Sequence, residues 1–361
     1  MSTLFTYLPS FATDYSGFIS VMHGLVGMMI VHDPSGCLGN YTNTDEPRWY
    51  HDPQPVFSSR MRELEAVIGD TDIIIEKAIK EIRRRKPPFV CIFGTPVPAL
   101  TGCDVISVAD EIEAETNVRC FGIETDGFRF YDDGIEKAMS FILNELMLHD
   151  VPKISGRINV LGMTPLDYSI YGEKEKLIQH FEGKGLHVGA FIGMGDDLEA
   201  VKNARSAELN LVMSAAALPA ARQMKQEDGI DYLIGPPCDA EIAEKLIKGA
   251  SFSRLLVVGE QLCANSLRNS IRQRYTGIDV TVATFFKFDK EVSEATDVKL
   301  RDENHLIALL KIGGFDAVIG DPLIKQLCKD EQQFIPYVHP AVSSKLHWKD
   351  TISYFIQEEK A

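Results

Sequence analysis

The sequence contains seven cysteines but no two of them are separated by only two residues. The number is odd, and the cysteines are spread from Cys37 to Cys328. A disulfide framework is typical of short chains with paired cysteines, and a zinc knuckle needs closely spaced pairs. Both kinds of site are therefore disfavoured, and we expect reduced thiols.

Basic residues are also scarce. The chain of 361 residues has 37 lysines and arginines against 52 aspartates and glutamates, for a formal net charge of −15. Because lysine and arginine provide the affinity for phosphate backbones, the composition argues against a nucleic-acid partner.

The sequence lacks a long hydrophobic run. The apolar stretch at residues 18–31 is interrupted by His23 and Gly24, whereas a membrane helix needs about 20 apolar residues. The first residues lack the basic region of a secretory signal. We therefore expect a cytoplasmic protein with no membrane partner.

From residue 89 onward, short β-branched runs alternate with longer amphipathic ones, which is typical of parallel βαβ units. The predicted strands are 89–93, 118–123, 158–161, 187–192, 209–213, 255–258, 280–284 and 317–319. The predicted helices are 71–85, 103–116, 133–148, 173–184, 197–204, 215–226, 261–275 and 303–312. The pattern predicts an α/β fold of three Rossmann-like, doubly wound domains with parallel sheets, at 1–150, 151–250 and 251–361.

Parallel sheets bind ligands at the carboxyl ends of their strands, so the loops that follow strands are the candidate sites. One such loop, Gly193-Met194-Gly195-Asp196, could present backbone N–H groups to a phosphate. It is not a complete G-x-G-x-x-G motif, and no Walker A motif occurs. A plain strand-to-helix turn is the alternative for this loop.

The first third of the chain contains the most informative motif. The turn His-Asp-Pro-Ser-Gly-Cys at 32–37, which we predict to follow an apolar helix, resembles the HGPxGC turn of nitrogenase component 1 type oxidoreductases. Segments 68–82, 89–105 and 124–138 resemble later motifs of that family in the same order. The resemblance extends over about 4–340, although the third domain matches only in pattern.

The resemblance implies a three-domain subunit that pairs with a second copy or a homologous subunit. An iron-sulfur cluster, of the 4Fe-4S type, would lie at their interface. Electrons would arrive from an ATP-dependent iron protein and pass to a small-molecule or tetrapyrrole substrate. The resemblance also implies that the parallel sheets surround a central cleft, where this substrate would lie.

Carried over by position, the resemblance makes Cys37 a cluster ligand, with His32 and Gly36 beside it. The chain departs from the family at the two other cluster cysteines, since Phe11 or Ala12 occupies the first position and Pro96 the third. Cys103 is a candidate substitute ligand. One chain supplies too few thiolates for a four-ligand cluster, so a partner must supply the rest.

Three cofactor-contacting positions complete the expectation: Thr95 and Pro96 lie in the loop after strand 89–93, and Ser214 stands where the molybdenum-iron cofactor has its thiolate ligand. His339 could return to the central cleft. Each residue also has a structural alternative, and Cys37 could be a small buried side chain. At the level of the whole chain, the alternatives are a metallocofactor assembly scaffold and a cluster-free binding protein for a small ligand or metal chelate.

Overall fold

The computed structural model describes residues 5–69, 71–238, 240–249 and 252–354. Parallel strands dominate it, and they are β1 (Met28–Val31), β2 (Val56–Ser58), β3 (Val90–Phe93), β4 (Cys120–Ile123), β5 (Arg157–Leu161), β6 (His187–Ile192), β7 (Leu209–Val212), β8 (Asp231–Ile234), β9 (Arg254–Val258), β10 (Asp279–Thr284), β11 (Val298–Lys299), β12 (Ala317–Gly320) and β13 (Gln333–Pro336).

Helices connect these strands. They are α1 (Asp14–Val21), α2 (Gly36–Asn40), α3 (Glu63–Ile68), α4 (Asp72–Arg85), α5 (Pro96–Thr101), α6 (Val105–Thr116), α7 (Tyr131–Phe141), α8 (Glu173–Glu182), α9 (Leu198–Lys202), α10 (Leu218–Asp228), α11 (Ala240–Ile247), α12 (Gln261–Arg274), α13 (Glu303–Ile312) and α14 (Pro340–Ser343). No helix within the described ranges is long and apolar enough to cross a membrane.

The strands form three separate parallel sheets. Their orders are β2-β1-β3-β4, β6-β5-β7-β8 and β11-β10-β9-β12-β13. The predicted fold class is thereby confirmed. The domain limits stay a prediction, and the proposed boundary between 250 and 251 lies outside the described residues.

The first sheet is covered by helices on both faces. Met29, Val31 and Phe93 pack on one face in a core that includes residues of α1 and α7. Ile30 and Ile92, which alternate with them, pack on the other face against α4 and α6. This alternation along the strands is what doubly wound packing requires.

Helices α1 and α7 touch through their backbones. A Cβ atom added to Gly17 would lie 1.9 Å from the carbonyl oxygen of Tyr131, and one added to Gly134 would lie 1.7 Å from that of Asp14. Only glycine permits so close an approach. The contact fixes α1 against α7.

One local prediction was wrong. The apolar stretch before the cysteine-containing turn is not one helix, because α1 ends at Val21 and the turn is preceded by strand β1. The backbone between them has positive φ at Gly24 (92°) and Val26 (53°), which breaks the helix. The turn therefore follows a strand and lies at the carboxyl edge of the sheet.

Candidate functional site

The loops after β1 and β3 diverge at the centre of the first sheet. β1 and β3 are neighbours in the sheet. The strand that follows β1 in the chain, β2, lies on one side of this pair, and the strand that follows β3, β4, lies on the other side. Such a switch in strand order leaves a crevice at the carboxyl edge, where α/β proteins bind ligands. The predicted residues all lie in these two loops or at the start of the helices that follow them. His32 and Thr95 are loop residues, Gly36 and Cys37 begin α2, and Pro96 begins α5.

Asp33 holds the first loop in place. Its fully buried carboxylate accepts a hydrogen bond from the backbone N–H of Leu38 at 2.9 Å and another from the hydroxyl of Ser58 at 2.5 Å. Its own N–H donates to the hydroxyl of Ser59 at 3.1 Å. Ser35 completes the turn in the left-handed region, with φ of 81°. The loop is thus pinned to β2, and Cys37 is placed in the first turn of α2.

The Cys37 thiol is half-buried. Burial raises its pKa, while the hydroxyls of Thr95 and Tyr15 act in the opposite direction. Beside it, a Cβ atom added to Gly36 would meet nothing within 4 Å. The sulfur therefore has hydroxyl neighbours on the protein side and open space next to its backbone, an arrangement that suits a ligand to a group outside the chain.

His32 and Thr95 join the two loops. The Thr95 hydroxyl donates to the carbonyl oxygen of His32 at 2.7 Å, and the His32 Nδ1 atom lies 2.9 Å from the hydroxyl of Ser59. Burial lowers the pKa of His32. Burial therefore favours the neutral imidazole, and the ring is partnered within the protein. Pro96 begins α5, where a proline needs no N–H partner.

Cys103 lies apart from this arrangement. It packs against the core on the α4 and α6 face of the first sheet, whereas Cys37 packs against the core on the α1 and α7 face. Burial raises the pKa of the Cys103 thiol. Among the described residues, no group of three or more His, Cys, Asp or Glu side chains is arranged to hold a metal ion. Cys103 as a ligand stays a prediction.

Ser214 belongs to a second cluster, at the junction of the three sheets. It follows β7, next to the loop after β5, at the switch in strand order of the second sheet. Ser214 is 2% exposed, and its hydroxyl has no hydrogen-bond partner in the described part of the chain. The N–H of the next residue, Ala215, donates to the Glu260 carboxylate at 2.7 Å.

Three further side chains meet at this junction, one from the loops of each sheet. The Tyr131 hydroxyl donates to Asp167, and His339 Nε2 lies 3.0 Å from both the Asp167 carboxylate and the Tyr131 oxygen. The ring of Phe286 packs edge-on against Tyr131 and His339, with centroids 5.0 and 4.8 Å away. Direct side-chain contacts therefore join the loops of the three sheets at this junction.

The junction carries unusual electrostatics. Burial, aided by the negative charge of Asp167, raises the pKa of Glu260 to about 7. The second carboxylate oxygen of Asp167 has no hydrogen-bond partner among the described residues. Sequence reasoning raised His339 as an alternative but missed Tyr131, Asp167 and Glu260. Asp167 and Glu260 both follow strands of parallel sheets, and ligand sites are found at this position. Their place in the sequence could therefore have marked them as candidates.

The contacts of the Gly193–Asp196 loop favour the plain-turn alternative over a phosphate site. The carbonyl oxygen of Gly193 accepts from Arg48 at 3.0 Å, and that of Gly195 accepts from Lys174. Asp196 accepts N–H groups from within the loop region, at Phe191 and Asp197. The loop thus presents carbonyl oxygens to two cations of the same chain.

Comparison with known proteins identifies a family for this arrangement. Residues 13–250 match the family model described as nitrogenase component 1 type oxidoreductase. Among curated relatives, the nitrogenase iron-molybdenum cofactor biosynthesis protein NifE of Methanosarcina barkeri is 24% identical over 239 residues, which are 62% of this chain and 50% of the relative. The nitrogenase molybdenum-iron protein alpha chain of Clostridium pasteurianum is 24% identical over 237 residues, 61% of this chain and 43% of the relative.

This chain therefore spans about half the length of the curated relatives it matches. Among solved structures, nitrogenase Cp1 at pH 6.5 superposes with a TM-score of 0.72 at 15% identity, covering 98% of this chain and 91% of the other. Nitrogenase Cp1 at pH 5 gives a TM-score of 0.67, also at 15% identity, covering 91% and 82%. At this identity the structural likeness establishes the fold.

Proposed function

The chain belongs to the nitrogenase component 1 type oxidoreductases, and on that premise we propose that it is the cluster-carrying subunit of a nitrogenase-like reductase. Cys37 would provide one thiolate to an iron-sulfur cluster shared with a second copy or a homologous subunit. An ATP-dependent iron protein would supply electrons for a small-molecule or tetrapyrrole substrate, in the cytoplasm.

The position of Cys37 is the observation that carries this proposal. The thiol lies at the switch in strand order of the first sheet, on a loop that the buried Asp33 holds rigid. Iron-sulfur clusters are bound by thiolates and tuned by neighbouring hydrogen-bond donors and by burial. Thr95 and Tyr15 provide hydroxyl donors next to the sulfur.

The residues around Cys37 fit one part of a cluster site, because they provide one of its ligands. One half-buried thiol with open space beside Gly36 can supply one ligand. Among the described residues no group of three or more side chains is arranged to hold a metal ion. We propose that a partner subunit supplies the other ligands. When bound, the cluster would supply one-electron transfer. The chain's own residues hold the sulfur and position the hydroxyls around it.

Exposed apolar side chains around this edge support a protein partner. Leu64, Val67 and Ile68 of α3, Leu100 of α5 and Phe128 after β4 are each more than 60% exposed. All of them follow strands of the first sheet, on the same edge as Cys37. We call these five residues the apolar rim. Exposed apolar surface of this kind marks interaction sites, and we propose that the rim contacts the partner subunit.

A second candidate function is metallocofactor assembly. The curated relatives include proteins named for iron-molybdenum cofactor biosynthesis, from Methanosarcina barkeri and elsewhere. In that role the chain would hold iron and sulfide and pass them to an acceptor protein. The same thiol would serve both functions, so the geometry at Cys37 supports a cluster in either case.

Anaerobic purification with iron and sulfide analysis tests the cluster. We expect Cys37→Ser to lose the bound iron and Cys328→Ser to keep it. Cys328 is another half-buried free thiol, but it lies between β12 and β13 of the third sheet. Cys103→Ser tests the remaining ligand prediction. Full iron content in Cys37→Ser, or none in the wild-type protein, would remove the proposal and leave a cluster-free binder.

Activity separates the two candidate functions. A reductase should oxidise an ATP-dependent iron protein and reduce a tetrapyrrole or other substrate only while ATP is hydrolysed. A scaffold should instead transfer iron and sulfide to an apo-acceptor, with no continuing ATP-dependent turnover. Cys37→Ser should abolish whichever activity is found, and Cys328→Ser should preserve it.

A further inference from the structure

A pocket of about 390 Å³ opens between the N-terminal segment and the segment after β13. Its walls are mainly apolar and include Phe11, Ala12, Leu323, Ala341 and Val342. The volume is at the lower end of the range for small-molecule sites, which are typically apolar with a few polar groups that fix orientation. The size suits a molecule of one or two rings and is small for a tetrapyrrole.

An unpartnered polar group lines this pocket. Ser343 is 2% exposed, and its hydroxyl has no hydrogen-bond partner within the described part of the chain. Leaving a buried hydroxyl unsatisfied is unfavourable, because the hydroxyl has lost its hydrogen bonds to water and gained none in the protein. Such a group in the wall of a cavity is explained if a ligand provides the missing partner.

A second polar group completes the wall. The Asp45 carboxylate accepts from the hydroxyls of Ser16 at 2.7 Å and Thr44 at 3.1 Å. A carboxylate has about four acceptor positions, so it can accept one more donor. The pocket thus offers the Ser343 hydroxyl and the Asp45 carboxylate within mainly apolar walls, which also include the polar side chains of Asn40, Thr44 and Lys345.

We propose that this pocket binds a small aromatic or alicyclic molecule that carries a hydroxyl or amino group. The apolar walls enclose the ring, and the polar group bonds to Ser343 or Asp45. Tyr15 lines the same pocket and is also a neighbour of the Cys37 thiol. A bound ligand would therefore be separated from the Cys37 thiol by the side chain of Tyr15. The inference rests on the proposed function only for this link to the redox site.

Calorimetric titration of the full chain with 1-naphthol and with cyclohexanol tests the pocket. Ser10 is exposed and lines the pocket, so Ser10→Trp should fill it and weaken binding about tenfold or more. Ser140→Trp is the matched control, because Ser140 is exposed and lines a different cavity. We expect this variant to bind as the wild type does.

Ser343→Ala should weaken binding about fivefold while leaving the melting temperature unchanged or higher, because it removes an unsatisfied hydroxyl. Binding that is absent from the wild-type protein, or equal in Ser10→Trp and Ser140→Trp, overturns the inference. Cys37→Ala separates the two proposals. If this variant has no iron but binds 1-naphthol, the pocket is independent of the cluster. If the wild type keeps iron but binds neither probe, only the pocket fails.

Discussion

The Nε2 atom of His339 lies 3.0 Å from the carboxylate of Asp167, although 172 residues separate them in the chain. His339 follows the last strand of the third sheet, and Asp167 follows the first strand of the second. Tyr131, at the start of α7 beyond the first sheet, donates its hydroxyl to the same carboxylate. A single acidic side chain therefore connects the loops of all three sheets.

Removing this carboxylate should destabilise the fold. Asp167→Ala would leave the Tyr131 hydroxyl and the His339 ring without their buried partner, and we expect the free energy of unfolding to fall by about 3 kcal/mol. Tyr131→Phe removes one hydrogen bond and should cost about 1 kcal/mol. Chemical denaturation measures both.

Asp110→Ala is the control for this pair, because Asp110 is exposed on α6. Its effect should stay within about 0.5 kcal/mol. If Asp167→Ala were no more destabilising than Asp110→Ala, the carboxylate would not connect the sheets in an energetically important way.

The fold could be predicted because its central strands are continuous apolar runs. β3 and β12 are buried along their whole length, which gives the signature of a parallel sheet. The edge strands β2, β8 and β13 did not have this signature, because each is partly exposed and mixes polar with apolar residues. Sequence periodicity therefore indicated the number of sheets and the edge strands β4 and β6, but it missed these three edges and also the short central strand β1, which was predicted as part of a helix.

The first site could be predicted in part, and the junction could not. His32, Cys37 and Thr95 were assigned from the family resemblance. Their proximity follows from the parallel topology only once β1 is recognised as a strand, and the sequence pattern had indicated a helix there. The contact between Asp167 and His339 depends instead on how the second and third sheets dock. No local sequence pattern predicts how two sheets pack against each other. A single buried acidic residue such as Asp167 also does not alter the hydrophobic periodicity of the sequence.

Glu303 should attach the N-terminal segment to the third sheet's region. Its carboxylate, 1% exposed, accepts the N–H groups of Thr6, Tyr7 at 3.0 Å and Leu8 at 3.0 Å. Glu303→Gln would turn an amide NH₂ toward these donors. We expect a loss of about 1–3 kcal/mol in stability and faster hydrogen exchange at residues 6–8.

The same contact should weaken in acid. Burial acts against ionisation, but the backbone hydrogen bonds from Tyr7, Leu8 and Thr6 lower the pKa of Glu303 overall. Its stabilisation is therefore present above the carboxyl's unfolded pKa and lost as the pH falls through the lower, folded value. Glu115→Gln, on the exposed side of α6, is the control. Equal exchange at residues 6–8 in both variants would contradict the prediction.

Asp132 should have the opposite dependence on pH. Burial, with help from the charge of Asp133, raises the pKa of Asp132 to about 6, while a bond from the Lys287 N–H acts against this. Because the folded protein holds this proton more tightly than the unfolded chain, the stabilisation is complete below the unfolded pKa of 3.8 and lost as the pH rises through about 6.

Asp132→Asn mimics the protonated carboxyl. We expect it to match the wild type at pH 4 and to be more stable by roughly 2 kcal/mol at pH 8. Urea denaturation across this range gives both values. Asp110→Asn, at an exposed site, should follow the wild-type profile, and a constant difference between Asp132→Asn and wild type at every pH would show that Asp132 does not titrate as proposed.

The apolar rim around Cys37 should drive association. Val67 is 77% exposed on α3, so an aspartate there should not disturb the core but would place a charge in the proposed interface. We expect Val67→Asp to weaken self-association, or association with a homologous subunit, by about tenfold or more in sedimentation experiments, with loss of the iron that needs ligands from both sides. Ile312→Asp is the matched control, because Ile312 is 83% exposed at the end of α13, beside the third sheet. If the two variants assembled equally well, the partner would contact another surface, and the missing thiolates would have to come from there.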